Sequence, residues 1–111
     1  MKFFSPLEHI CHLPLTFQKK GISPAQIVSD SRINVDSLTT RSISDVLKLT
    51  PSLVESWLKW SEEKRVPHGW YFHRLEHGYV VGFNPRGERL VFEDGLLACA
   101  DYILREVRSI N

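Results

Sequence analysis

Four side chains able to exchange protons or stabilise charge fall within five positions: His73, Arg74, Glu76 and His77. A general base, a general acid and a cation on one small sheet are the parts of a compact ribonuclease. Strand alternation works against that chemistry. His73 shares a face with Tyr71 and Leu75, Arg74 shares the other with Trp70 and Phe72, and Glu76 and His77 sit at a turn tip. A ribonuclease using His73 and His77 is therefore a secondary reading. A second cluster, His9, Cys11 and His12, has the donor types of a zinc site, with the histidines at i,i+3. A structural zinc site takes four ligands, and the nearest candidates, His68, His73 and His77, lie far along the chain. We expect no metal and no cofactor. Ser29-Asp30-Ser31 has no glycine elbow and no adjacent base, and there is no glycine-rich phosphate loop. No catalytic residue is assigned, and the expectation is a protein that is not an enzyme.

Two further constellations concern binding. The run from Ile43 to Leu58, followed by a hairpin over Trp70–Phe83, has the outline of a winged helix-turn-helix. Three features oppose it: Leu47 stands at the usual small position, the turn has no glycine, and its length is short. The would-be recognition helix also begins Ser-Leu-Val-Glu-Ser, poor in groups that read base edges or phosphates. A DNA-binding regulator is thus the first alternative. The second constellation is Trp60 beside Glu62, Glu63, Lys64 and Arg65, about 60° off the apolar edge of its helix. An aromatic anchor with a charged surround has the composition of a protein interface. The competing reading is a tryptophan covered by the N-terminal helices.

The elements that must position these groups are legible in outline. Ser5-Pro6, Ser23-Pro24 and Thr50-Pro51 each offer a hydroxyl N-cap and a proline at the first helical position. Glu8 and Gln26 add the third-residue partner of a capping box. The first half reads as short helices near 5–12, 24–30 and 43–49, the last beginning at Ser42 with Asp45. Pro14 and Gly21 bound a loop, and Asn34 to Thr40 form another. From Pro51 to about Arg65, Leu53, Val54, Trp57, Leu58 and Ser61 form one helical face, with Glu55 and Lys59 as an i,i+4 pair. Six of the twelve aromatic residues then fall between Trp70 and Phe92. Three alternating runs, 70–75, 79–83 and 88–92, are separated by turns holding Gly78 and Gly87. Asp94 caps a last helix with a stripe of Leu96, Cys99, Ala100, Ile103, Val107 and Ile110, and Asp101 pairs with Arg105 on its outside.

The fold class is therefore α+β. A three-stranded antiparallel meander over about 70–92 is packed by helices at about 51–65 and 95–109, with a helical N-terminal half. One domain is expected over residues 1–111: short helices and loops over 1–49, and the helix–meander–helix core over 50–111. The 42% hydrophobic and 24% charged fractions suit a soluble globule. No run is long enough for a membrane span, and the start lacks the apolar centre of a secretory signal. Cys11 and Cys99 are far apart, without C-x-x-C spacing, and read as reduced, partly buried thiols in a cytoplasmic protein. Net charge is +1, with six Lys/Arg against four Asp/Glu in residues 1–50 and eight against nine in 51–111. Neither half has the excess that nucleic-acid binding needs.

The run Leu53-Val54-Glu55-x-Trp57-x-x-Trp60-Ser61-Glu62-x-Lys64-Arg65 leads to Gly69-Trp70-Tyr71-Phe72. Tyr79-Val80-Val81-Gly82-Phe83, Phe92-x-Asp94 and Ala98-Cys99-Ala100-x-x-Ile103 follow. Together, from about residue 45 onward, these resemble small immunity proteins encoded beside bacterial contact-dependent or polymorphic toxins. The resemblance implies a cytoplasmic protein that binds one cognate toxin domain, commonly a nuclease, and blocks its active site or substrate access. Such inhibitors tend to be acidic, and this chain departs from that, leaving a local patch of Glu55, Glu62, Glu63 and Glu76 to meet a basic cleft. On the same reading Trp60 and Tyr71 are anchors. Glu62, Glu63, Lys64, Arg65, His73 and His77 are polar contacts.

Overall fold

The structure is a computed structural model, and residues 5–64 and 68–110 are described. Capping chemistry sets the N-terminal half. Helix α1 (Pro6–Cys11) starts at Ser5, whose hydroxyl accepts from the Glu8 backbone N–H while the Glu8 side chain accepts from the Ser5 N–H. Helix α2 (Leu13–Lys20) occupies a stretch expected to be a loop. Pro14 lies in its first turn, where no N–H is needed, and Gly21 ends it in the left-handed region at φ 66°. The two residues taken as loop boundaries are a helix start and stop. Helix α3 (Pro24–Ser31) is capped by Ser23, but only half of its expected box forms, because the Gln26 amide donates to Asp30 instead.

A 3₁₀ turn (Val35–Ser37) precedes α4 (Thr40–Leu49), which begins earlier than expected. Thr39 is its N-cap and Ser42 its third residue, each hydroxyl accepting from the other's backbone N–H. Helix α5 (Leu53–Lys64) starts two residues after Pro51 and buries Leu53, Val54, Trp57 and Ser61 as its spacing predicts. The expected Glu55–Lys59 pair is replaced: Lys59 pairs with Glu63 at 3.9 Å, and Glu55 pairs across to Arg74. Arg65, expected as the end of this helix, lies outside the described residues.

The meander is as read. Strands β1 (Gly69–Leu75), β2 (Gly78–Asn84) and β3 (Glu88–Phe92) form one antiparallel sheet in the order β1-β2-β3. The register sets Phe72 opposite Val81 and Val81 opposite Leu90. Gly78 adopts φ 152°, and a side chain there would run into the Phe92 carbonyl. Helix α6 (Gly95–Ile110), capped by Asp94 through the Leu96 N–H at 2.8 Å, lies against the sheet on one side and α4 on the other.

Being covered twice, α6 buries more than one stripe. Tyr102 and Glu106 are enclosed along with Cys99, Ile103 and Val107, and Tyr102 stacks on Phe72 with ring centroids 5.5 Å apart. Asp101 and Arg105 pair at 2.8 Å, half-buried where Arg105 covers the Trp70 ring, not on the open side. Trp57, Phe72, Ile10, Ile27 and Ile103 belong to one apolar cluster that draws on both halves of the chain.

Cys11 and Cys99 are free thiols, fully buried instead of partly so. Burial pushes the Cys11 thiol up from its ordinary 9.0 to about 12, raises Cys99 as well, and lifts the Tyr102 hydroxyl. The folded state therefore holds these groups neutral while the unfolded chain ionises them. The Cys11 contribution to stability is complete below pH 9, the unfolded thiol value, and is lost as pH rises towards 12. Over that window the Cys11 thiol removes about 1.4 kcal/mol per pH unit. Urea unfolding midpoints should fall steeply above about pH 9, and Cys11→Ala should flatten the slope. A profile that stayed level through this range would rule out the buried thiols as its source.

Candidate functional site

The ten residues singled out for partner binding divide into separate places. Glu55, Lys59 and Glu62, at i, i+4 and i+7, lie on one face of α5. With Leu58 on α5 and Phe72, His73 and Arg74 on β1, they line a shallow groove of about 570 Å³. Glu55 and Arg74 are hydrogen-bonded and exposed, and Glu55 raises the guanidinium pKa above its ordinary value. His73 belongs to this groove and also stacks on Tyr71 at 5.0 Å on the sheet face away from α5 and α6. Tyr71 lies over Gly82, where a side chain would collide with its ring. Tyr71 and His73 thus extend the groove rim onto the open sheet face.

Trp60, Glu63 and Lys64 lie on the other side of α5. They line a mainly apolar pocket of about 450 Å³ between α2, α5 and the end of α6, with Phe17, Glu106 and Ile110. Trp60 is half-buried under α2, its ring edge-on to Phe17 at 5.2 Å. Its indole N–H donates to Glu106 Oε2 at 3.0 Å. The same oxygen accepts from Lys64 Nζ at 2.5 Å and from the Tyr102 hydroxyl at 2.9 Å. Lys64 also donates to the Trp70 carbonyl at 2.8 Å. Nearby, Ser61 Oγ accepts the Phe72 backbone N–H at 2.7 Å. Lys64, with its side chain 18% exposed, is therefore an internal cross-link between α5, β1 and α6 more than a rim contact.

Glu76 and His77 are at the tip of the β1–β2 turn, about nine-tenths exposed and 3.9 Å apart. Arg65 lies outside the described residues. Of the groups of the ribonuclease reading, His73 and Arg74 line the groove and Glu76 and His77 sit at the turn tip. The DNA-binding reading meets an electrostatic obstacle. Along α5 Glu55 is paired with Arg74 and Lys59 with Glu63, so this helix offers a phosphate backbone no excess of cations. Of the zinc candidates, Cys11 is buried and the His12 ring Nδ1 donates to the Glu8 carbonyl at 2.8 Å. Among the described residues, no three His, Cys, Asp or Glu side chains stand close enough to share a metal.

No protein-family model, curated protein or solved structure matches this chain.

What the groove can do is bind. It combines exposed carboxylates, two cations and an imidazole with apolar surface from Leu58. Sequence reasoning named Glu55, Glu62 and His73 but missed their meeting, which depends on how β1 lies along α5. It missed Glu106 entirely. The available signal was an acidic residue inside the apolar stripe of α6, four residues after Tyr102 and between Ile103 and Ile110.

Proposed function

We propose that the chain is a non-catalytic protein inhibitor, an immunity protein that binds one cognate bacterial toxin domain and covers its catalytic surface or substrate path. The observation that carries this reading is the charged groove along α5 and β1, where Glu55 and Glu62 alternate with Lys59 and Arg74 beside the partly exposed Leu58, and His73 and Tyr71 continue the rim. A nuclease cleft shaped to hold phosphates is basic, and Glu55 and Glu62 are the groups on this rim that would meet it, while Lys59 and Arg74 would face acidic groups of the partner. At a net charge of +1 the attraction is local to this patch. On this reading the protein works in the bacterial cytoplasm, where an incoming toxin domain would otherwise reach its substrate.

The test is co-expression with the toxic domain encoded immediately upstream, reading growth, followed by binding kinetics with the purified pair. Protection and a stable complex are expected. Tyr71→Ala should weaken the complex by roughly 2–4 kcal/mol, as a central aromatic anchor does. Glu55→Lys with Glu62→Lys should slow association and abolish its dependence on salt. Failure of the unaltered chain to protect or to bind would overturn the proposal. Full binding by all three substitutions would place the interface elsewhere and remove the groove as its basis.

A further inference from the structure

Glu106 is left half used. Its Oε2 takes three donors, from Lys64, Tyr102 and Trp60, while Oε1 accepts no hydrogen bond from the described residues. A carboxylate has about four acceptor positions, and an oxygen left bare on a side chain 4% exposed calls for a partner. Among the described residues every fully enclosed side-chain nitrogen and oxygen has one, so Oε1 keeps a small open surface. The space it opens into is the pocket between α2, α5 and the end of α6, which Glu106 lines. Lys64 lines it too. Its ammonium engages Glu106 and the Trp70 carbonyl, and its third N–H meets no nitrogen or oxygen of the described residues. The walls are Phe17, Pro24, Trp60 and Ile110, with the Phe17 and Trp60 rings edge-on to each other at 5.2 Å.

We infer that this pocket binds a neutral, planar heteroaromatic molecule carrying a hydrogen-bond donor and an acceptor side by side on one edge, as an aromatic lactam does. Charge decides against the other classes. The Lys64 ammonium lies 2.5 Å from Oε2, so the floor holds one positive and one negative group and is neutral as a whole. At the rim Glu63 is paired with Lys59 at 3.9 Å. A cationic ligand reaching Oε1 would meet the ammonium, and an anionic one reaching Lys64 would meet the carboxylate. Each would also give up its own hydration in a mainly apolar site. A purely aliphatic ligand would leave both polar groups unanswered. The lactam edge answers both at once: its N–H donates to Oε1 and its carbonyl accepts from Nζ, two charge-assisted hydrogen bonds. Its flat ring gains stacking or edge contact from Trp60 and Phe17. A volume of about 450 Å³ lies within the range of small-molecule sites and admits a bicyclic ring. The pocket is on the side of α5 away from the charged groove, so the inference stands apart from the inhibitor reading.

Calorimetric titration of the full chain with carbostyril, a bicyclic aromatic lactam, tests it. Binding is expected with a dissociation constant on the order of 100 µM, as suits so small a ligand. N-Methylcarbostyril keeps the ring and loses the donor, and should bind at least about tenfold more weakly, because Oε1 then faces a methyl group. Ile110→Trp, at the helix end, fills the pocket from one wall and should weaken carbostyril at least about tenfold, with circular dichroism confirming the fold. Inosine presents the same edge on a base carrying ribose: binding as tight as carbostyril marks a nucleoside as the source, and weaker binding marks a heterocycle without sugar. Absence of heat, together with an unmoved Trp60 indole N–H resonance at saturating carbostyril, overturns the inference. So does equal binding of the methylated form, which would make the pocket an unselective apolar hole. Binding that Ile110→Trp leaves unchanged overturns it as well, since the ligand would then sit elsewhere.

Discussion

Glu106→Ala should lower the unfolding free energy by about 3–5 kcal/mol, the range for breaking a buried ion pair by removing one partner. The Glu106 side chain is 4% exposed, and one of its oxygens holds three donors: Lys64 at 2.5 Å, Tyr102 at 2.9 Å and Trp60 at 3.0 Å. Truncation leaves the ammonium with the Trp70 carbonyl alone and takes the acceptor from a hydroxyl and an indole N–H, and each unsatisfied neutral donor costs about 1–3 kcal/mol. The partners share one site, so these losses will not sum. Glu106→Gln keeps an acceptor and should fall between alanine and the unaltered chain. Lys64→Met leaves the carboxylate with two neutral donors and should also be strongly destabilising. Lys64→Met with Glu106→Leu removes the pair as a unit and should recover much of either loss, because apolar replacement of a buried pair is often close to neutral. Urea unfolding of the four variants gives the coupling directly. A Glu106→Ala loss under about 1 kcal/mol would show that water reaches the site and that the network is not a structural cross-link.

The network also explains why the sequence presents Lys64 as a polar contact and Trp60 as an anchor for a partner. Near a helix end, a lysine and an off-face tryptophan look solvent-directed in any local pattern, and the acceptor that draws them in lies 42 and 46 residues further on. Short-range signals fared better. Ser5 with Glu8, the alternation through Tyr79–Phe83 and Asp94 all specify local hydrogen bonds or local faces, and each forms as read. Where one residue has two local meanings, local reading was insufficient. Pro14 and Gly21 punctuate a loop or delimit a helix equally well, and only packing against α3 and α5 selects α2. The groove along α5 and β1 follows the same division. Its carboxylates were visible on α5 from their spacing, whereas His73 joins them only because β1 runs alongside that helix.

Trp57→Ala should be comparably damaging, at about 3–5 kcal/mol for deleting a fully buried tryptophan. Trp57 has no exposed surface, packs edge-on to Tyr102 at 6.0 Å and to Trp60 at 6.3 Å, and donates its indole N–H to the Cys11 carbonyl at 2.9 Å. That hydrogen bond crosses from α5 to the last residue of α1, so it fastens the N-terminal helices to the helix–meander–helix half. Trp57→Phe separates the two contributions: the ring stays and the donor goes, for an expected loss of about 1–3 kcal/mol. If α1 to α4 form one cooperative unit with the sheet, as the shared cluster of Ile10, Ile27, Trp57 and Ile103 favours, thermal unfolding of both variants should remain a single transition at lower temperature. Two resolved transitions in Trp57→Ala would mean that the N-terminal helices unfold on their own once this tie is cut. Trp60 would then lose its cover from Phe17 before the sheet melts, and tryptophan fluorescence recorded through the first transition would shift to the red as the ring meets water.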